Sequence, residues 1–127
     1  MDRRDIKSSR EDYLEAILIK INELGACRVT DIADQMGYSK ASTSVALKKL
    51  EDEGCIKRED WRILLTEKGL EIARKVYDRH VFFVNWFKRI GIESGQAEED
   101  ACRIEHVLSE ETYEKIKNYL KMTDPSL

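Results

Sequence analysis

Apolar side chains recur at Leu14, Ile17, Leu18, Ile21 and Leu24 of SSREDYLEAILIKINELG, residues 8–25, the spacing of an amphipathic helix. Ser8 with Glu11 would make a capping box at its start, and Gly25 closes it. A second, short helix is predicted from Thr30 to Met36, ended by Gly37. A third is predicted from Ser39 to Glu53, with Val45, Leu47 and Leu50 facing inward. Two β-prone runs in CIKREDWRILLT, residues 55–66, flank Glu59, Asp60 and Trp61 and predict a small hairpin. Residues 67–91 read as one long helix, followed by helices in GQAEEDACRIEHVLS (95–109) and EETYEKIKNYL (110–120).

Three helices, a hairpin and a long helix form the order of a winged helix-turn-helix. The fold class is therefore mainly α, with a winged helix-turn-helix over residues 1–70 and a helical domain over 71–127. Composition agrees. The 127 residues include 37 % charged side chains but only 6 Gly and 1 Pro, a mix that favours helices. No run approaches the roughly 18–20 apolar residues of a membrane span. The start, MDRRDIKSSRED, lacks the apolar core of a signal peptide, so a cytoplasmic location is expected. Cys27, Cys55 and Cys102 are far apart and form no C-x-x-C, which argues against a disulfide framework or a structural zinc cluster.

The net charge of −3 hides a division. From Glu93 to Glu114, Arg103 is the only Lys or Arg among eight acidic residues, whereas Ser39 to Leu50 holds Lys40, Lys48 and Lys49 and no acid. The first turns of the third helix carry Ser39, Lys40, Ala41, Ser42, Thr43 and Ser44. Short side chains let a helix sit close in a groove, where hydroxyls bond phosphates and base edges. Lys48, Arg28, and Lys57, Arg58 and Arg62 of the hairpin would add phosphate contacts. The competing reading is that Ser39 is simply an N-cap and the serines form a solvated face. With no Arg, Asn or Gln in those turns, shape and van der Waals contact would carry much of any specificity.

In DACRIEHVLS, residues 100–109, helical spacing would put Cys102, Glu105 and His106 on one face. That is either half of a metal site or a buried cysteine beside a solvated Glu-His pair. The segments SREDYLEAI (9–17), RVTDIADQMG (28–37), LKKLEDEG (47–54), LTEKGLEIARKV (65–76), DRH (78–80) and EEDACRIEHVLS (98–109) together resemble the diphtheria-toxin-repressor and manganese-transport-regulator family of metal-dependent repressors. The likeness is to its short form, without an SH3-like domain.

The resemblance implies a ligand set of Asp12 and Glu15 from the first helix, His80 from the long helix, and Cys102, Glu105 and His106. Such donors suit Mn²⁺, slightly favoured, or Fe²⁺, and also accept Co²⁺, Ni²⁺ or Zn²⁺. Iron-type members share Cys102 but carry Met at the Asp12 position; manganese-type members carry carboxylates at both positions. Val84 stands where the family often has another carboxylate, which implies a second metal site that is altered or missing, unless Glu98 or Glu99 takes its place.

The resemblance further implies a homodimer on palindromic operator DNA, repressing metal-uptake genes with the metal as co-repressor. Residues 1–70 would bind DNA, and residues 71–127 would dimerise and sense metal. The stretch VYDRHVFFVNWFKRI is apolar nearly all round, more than a small domain is expected to bury alone, and so predicts a dimer surface. Two alternatives are a winged-helix regulator with a non-metal effector and a Zn²⁺ or Co²⁺ sensor. A metalloenzyme is disfavoured, since no separate general base is present.

Overall fold

The computed structural model describes the backbone from Ile6 to Leu127 and the side chains from Arg10 onward. Its elements are α1 (Ile6–Leu24), α2 (Val29–Met36), α3 (Lys40–Asp52), β1 (Ile56–Glu59), β2 (Arg62–Leu65), α4 (Glu67–Arg89), α5 (Ser94–Ile104) and α6 (Glu110–Thr123). The chain is mainly α, with the helix-turn-helix and wing in the order the sequence predicts. It divides into two compact units, one ending at Lys75 and the other beginning at Val76, within α4. Helix α1 starts ahead of Ser8, whose side chain, and with it the expected capping box, lies outside the described residues.

In the first unit, α1 packs on α2 and β2, and α3 packs on α2 and β1. Leu14, Ile17, Ile32, Leu47 and Ile63 are fully buried. Gly37 ends α2 in the left-handed conformation (φ 74°) and donates its N–H to the Ala33 carbonyl, so the chain can turn sharply into α3. One expectation fails here. The inward residues of α3 are Thr43, Leu47 and Leu50, while Val45 is 73 % exposed. Two residues before Leu47, Val45 lies about 200° round the helix and cannot share its face.

The hairpin pairs Ile56 with Leu65 and Glu59 with Arg62, leaving Asp60 and Trp61 at the turn. Asp60 takes a positive φ of 57°, which Asp tolerates better than most residues. The base of the wing is tied to both flanking helices. Thr66 donates its hydroxyl to the Gly54 carbonyl (2.6 Å) and accepts the Gly69 N–H (3.2 Å). Lys68 reaches the Glu53 carbonyl at 3.0 Å. So close is α4 to the strand that a Cβ on Gly69 would sit 1.9 Å from the Cys55 carbonyl oxygen.

The second unit is built from the rest of α4 with α5 and α6. Phe82, Phe83, Val84, Ala101 and Tyr113 form its core, with Trp86, Phe87, Ile104 and Leu120 packed against them. Phe83 lies 5.9 Å from both Phe87 and Tyr113, ring centre to ring centre. Phe82, Phe83 and Val84 of the aromatic stretch are thus buried within their own unit, while Val81, Trp86 and Phe87 are only partly buried. Here the exposed apolar side chains are Ile90, Val107, Tyr119 and Met122. Helix α5 also ends earlier than expected, at Ile104, and α6 begins from the Ser109 cap, which accepts the Thr112 N–H at 3.1 Å.

Gly69→Ala is expected to destabilise the protein by about 1–3 kcal/mol, as overpacking against backbone does. Urea unfolding followed by Trp fluorescence checks this, with Gly95→Ala as the control, because its nearest neighbour is the flexible Glu93 side chain at 3.3 Å.

Candidate metal centre and nucleic-acid surface

His80 projects from α4 and meets a carboxylate at each ring nitrogen: Nδ1 is 2.8 Å from Glu105 Oε2, and Nε2 is 2.7 Å from Glu98 Oε2. On the other side of Glu105, His106 Nε2 is 3.3 Å from Oε1. The side chain of Glu105 is fully buried, that of His106 is 7 % exposed, and that of Glu98 is open to solvent. Glu105 Oε1 makes no hydrogen bond among the described residues.

A neutral imidazole donates from one nitrogen only, so two carboxylates on one ring call for a second positive partner, a proton or a cation. A buried carboxylate likewise needs compensation. The donors therefore fit a divalent ion: imidazoles and carboxylates, with one buried carboxylate oxygen outside any hydrogen bond.

Sequence reasoning missed what holds this cluster. Glu105 caps α5, and His106 lies in the turn before α6. Arg79, beside His80, donates to the carbonyls of Glu105 (3.1 Å) and Leu108 (2.9 Å) and to Glu110 Oε2 (2.9 Å). Its guanidinium also lies 4.8 Å from the Tyr113 ring centre. The DRH run was visible, but the targets of Arg79 are distant in sequence. Burial, with the Glu114 and Asp78 charges adding to it, raises the Tyr113 hydroxyl pKa and keeps that ring neutral under the guanidinium.

The remaining candidates divide. Cys102, on the last turn of α5, is exposed, unlike Glu105 three residues on. Helix α5 ends at Ile104, with Glu105 as its cap, still helical in backbone and donating its N–H to the Ala101 carbonyl, and His106 follows in the turn. Cys27 is fully buried in the first unit, where burial, with the Asp31 charge adding and Lys20 opposing, pushes its thiol up to about 12. Asp12 and Glu15 lie one turn apart on α1, the first half-buried and the second buried. Val84, at the position of the missing carboxylate, is buried in the apolar core of its unit.

The nucleic-acid candidates lie in the first unit. Ser39 does cap α3, accepting the Ser42 N–H at 3.1 Å. Lys40, Ala41, Ser42, Ser44 and Lys48 are exposed along that helix, and Lys48 is 3.2 Å from Asp52. Arg58 and Arg62 are exposed on the hairpin, and Arg62 is 3.3 Å from Glu59. Arg28, at the start of α2, stacks its guanidinium 4.5 Å from the Trp61 ring centre. That contact, unforeseen from the sequence, joins the wing tip to the helix-turn-helix. No helix among the described residues is long and apolar enough to cross a membrane.

Comparison with known proteins adds a family context. Residues 66–125 match the iron-dependent repressor metal-binding and dimerisation domain, and residues 16–60 match the MarR family. An HTH-type transcriptional regulator of Methanocaldococcus jannaschii is 34 % identical over 122 residues, covering 91 % of this chain and 95 % of that protein. The HTH-type transcriptional regulator MntR of Listeria welshimeri is 32 % identical, over 89 % of this chain and 80 % of its own length. Among solved structures, the manganese regulator SloR superposes with a TM-score of 0.74 at 27 % identity, covering 88 % of this chain. The crystal structure of T. acidophilum IdeR gives 0.75 at 23 % identity over 87 % of this chain, a likeness of fold. This chain spans 53 % of each of those two solved chains.

Replacing Arg79 by Ala removes three hydrogen bonds that fix the turn carrying Glu105 and His106. The expected cost is about 1–3 kcal/mol, from partly buried carbonyls left without donors. Thermal unfolding without added metal measures it; a change within about 0.5 kcal/mol, typical of an unimportant surface site, would deny Arg79 that role.

Proposed function

The chain belongs to the diphtheria-toxin-repressor and manganese-transport-regulator family of metal-dependent transcriptional regulators, and on that premise we propose that Mn²⁺ is its co-repressor at genes of metal uptake. The family is one of DNA-binding regulators with a dimerisation domain, not of enzymes. One observation carries the metal reading: Glu105 is buried between two imidazoles, and the nearer imidazole is already engaged by a second carboxylate.

In this reading His80, Glu105 and His106 are ligands in the second unit, and Asp12 and Glu15 supply the carboxylates that the family resemblance assigns to the first helix. A bound divalent cation would supply positive charge where carboxylates predominate. Hard oxygen and imidazole donors favour Mn²⁺, and Fe²⁺ is the runner-up. Cys102 stays a candidate ligand, but its exposure gives the thiolate less weight in that choice.

The rest of the chain follows the same logic. Helix α3 would lie in the major groove with Ala41, Ser42 and Ser44 near the bases, while Arg28, Ser39, Lys40, Lys48, Arg58 and Arg62 reach phosphates. The regulator would act in the cytoplasm as a homodimer, and two-fold symmetry would match it to a palindromic operator. The units responsible are those read from the sequence, residues 1–70 for DNA and 71–127 for pairing and sensing.

The test is binding to a fluorescent duplex, selected from a randomised pool, titrated with Mn²⁺, Zn²⁺ and, anaerobically, Fe²⁺. Mn²⁺ is expected to tighten binding about 5–150-fold, the usual range of allosteric coupling. His106→Ala should abolish that response, and Cys102→Ser should leave it. A full response in His106→Ala refutes the site, a stronger response to Zn²⁺ refutes the choice of metal, and indifference to every ion points to a non-metal effector.

A further inference from the structure

Val45, a large apolar side chain on α3, is 73 % exposed, a place that conflicts with its chemistry. Thr43, Leu47 and Leu50 mark the inward face, being 0–3 % exposed. At about 100° per residue, Val45 stands opposite them, on the centre line of the outward face. Around it lie Ala41, Ser42, Lys48 and Lys49, all exposed. A β-branched side chain at a solvated helical position costs helix propensity and gains no burial within the fold.

What covers it can be argued from the surroundings. The neighbours are cationic or small, so the face fits a polyanion at close approach. In the major groove the only apolar feature of a base edge is the C5 methyl of thymine, and an apolar side chain is its complement. We propose that Val45 reads a thymine methyl group in each half of the binding site, with Ala41 leaving room for the base pair beside it. The inference rests on α3 being the reading helix of the proposed function. It adds an apolar base contact to the hydroxyls of Ser42 and Ser44, on a helix whose first turns hold no Arg, Asn or Gln.

Replacing thymine by deoxyuridine deletes that methyl and nothing else, and requires no change to the protein. The experiment uses the full-length chain with saturating Mn²⁺ and the selected duplex, exchanging each thymine in turn. At one thymine per half-site the exchange should weaken binding about four-fold, the effect of withdrawing one buried methyl-sized group. Val45→Ala should weaken binding to the thymine duplex by a similar factor and be insensitive to that exchange, so that the two losses do not add. Thermal unfolding of Val45→Ala is expected to be undiminished, and slightly raised by the better helix propensity of Ala, because the side chain is exposed. Indifference of the unaltered protein to every exchange, or losses that multiply, would overturn the proposal while leaving DNA binding intact. Failure to retain any duplex would overturn it together with the proposed function.

Discussion

The cluster around Glu105 sets the demand that the rest of the second unit meets. A carboxylate with no solvent exposure is tolerated only with compensating partners, and here they come from two histidines that belong to different segments. His80 arrives on a long helix held by its own aromatic core, while Glu105 and His106 sit at a helix end and in the turn after it. A turn is a poor platform for metal donors unless its backbone is fixed. Arg79 does that, taking two turn carbonyls and the Glu110 carboxylate with one guanidinium. Its planar fork suits the task, and Lys could not make the same set of bonds.

Much of this was legible from the chain. Helical period located α1, α4 and α6, glycines marked where α1 and α2 stop, and β-prone runs around Asp60 and Trp61 gave the hairpin. What escaped was non-local. Period extends a helix through Glu105 to Leu108, but the chain leaves the helix there, and Arg79, 26 residues before Glu105, takes up the carbonyls of that turn. The aromatic run of α4 looked too large for one unit to bury. That estimate ignored how closely α5 and α6 bring Ala101 and Tyr113 onto Phe82 and Phe83. Val45 was misplaced for a simpler reason: its hydrophobicity was given more weight than its phase.

The donor set was legible to a lesser degree. His80, Glu105 and His106 entered as a set through resemblance, and the structure brings these three together within the second unit. Glu98 entered only as a stand-in for the carboxylate that Val84 replaces, yet its contact is with His80 itself. Val84 meanwhile is part of the core, so restoring a carboxylate there would place an acid among Phe82, Phe83 and Tyr113. Apolar packing at that position thus constrains how many oxygen donors the unit offers, and this bears on metal choice as directly as the ligands do.

A reading helix of short side chains has a consequence for regulation. In the proposed function, each contact from Ser42, Ser44 or Val45 to a base edge would be small beside the bidentate bonds of Arg or Asn. Affinity would then come from many weak contacts and phosphate pairs made at once, in both half-sites. Such binding is steep in geometry: when one half-site is engaged, the second adds only as much as the placement of its partner helix allows. A regulator built this way responds strongly to any event that orders it, because loss of order removes many contacts together. A helix anchored by one strong base contact would hold on to its site and respond less. In the proposed function, the modest chemistry of α3 and the charge-rich cluster around Glu105 would be complementary features, the one making DNA affinity sensitive to order and the other making order depend on a cation.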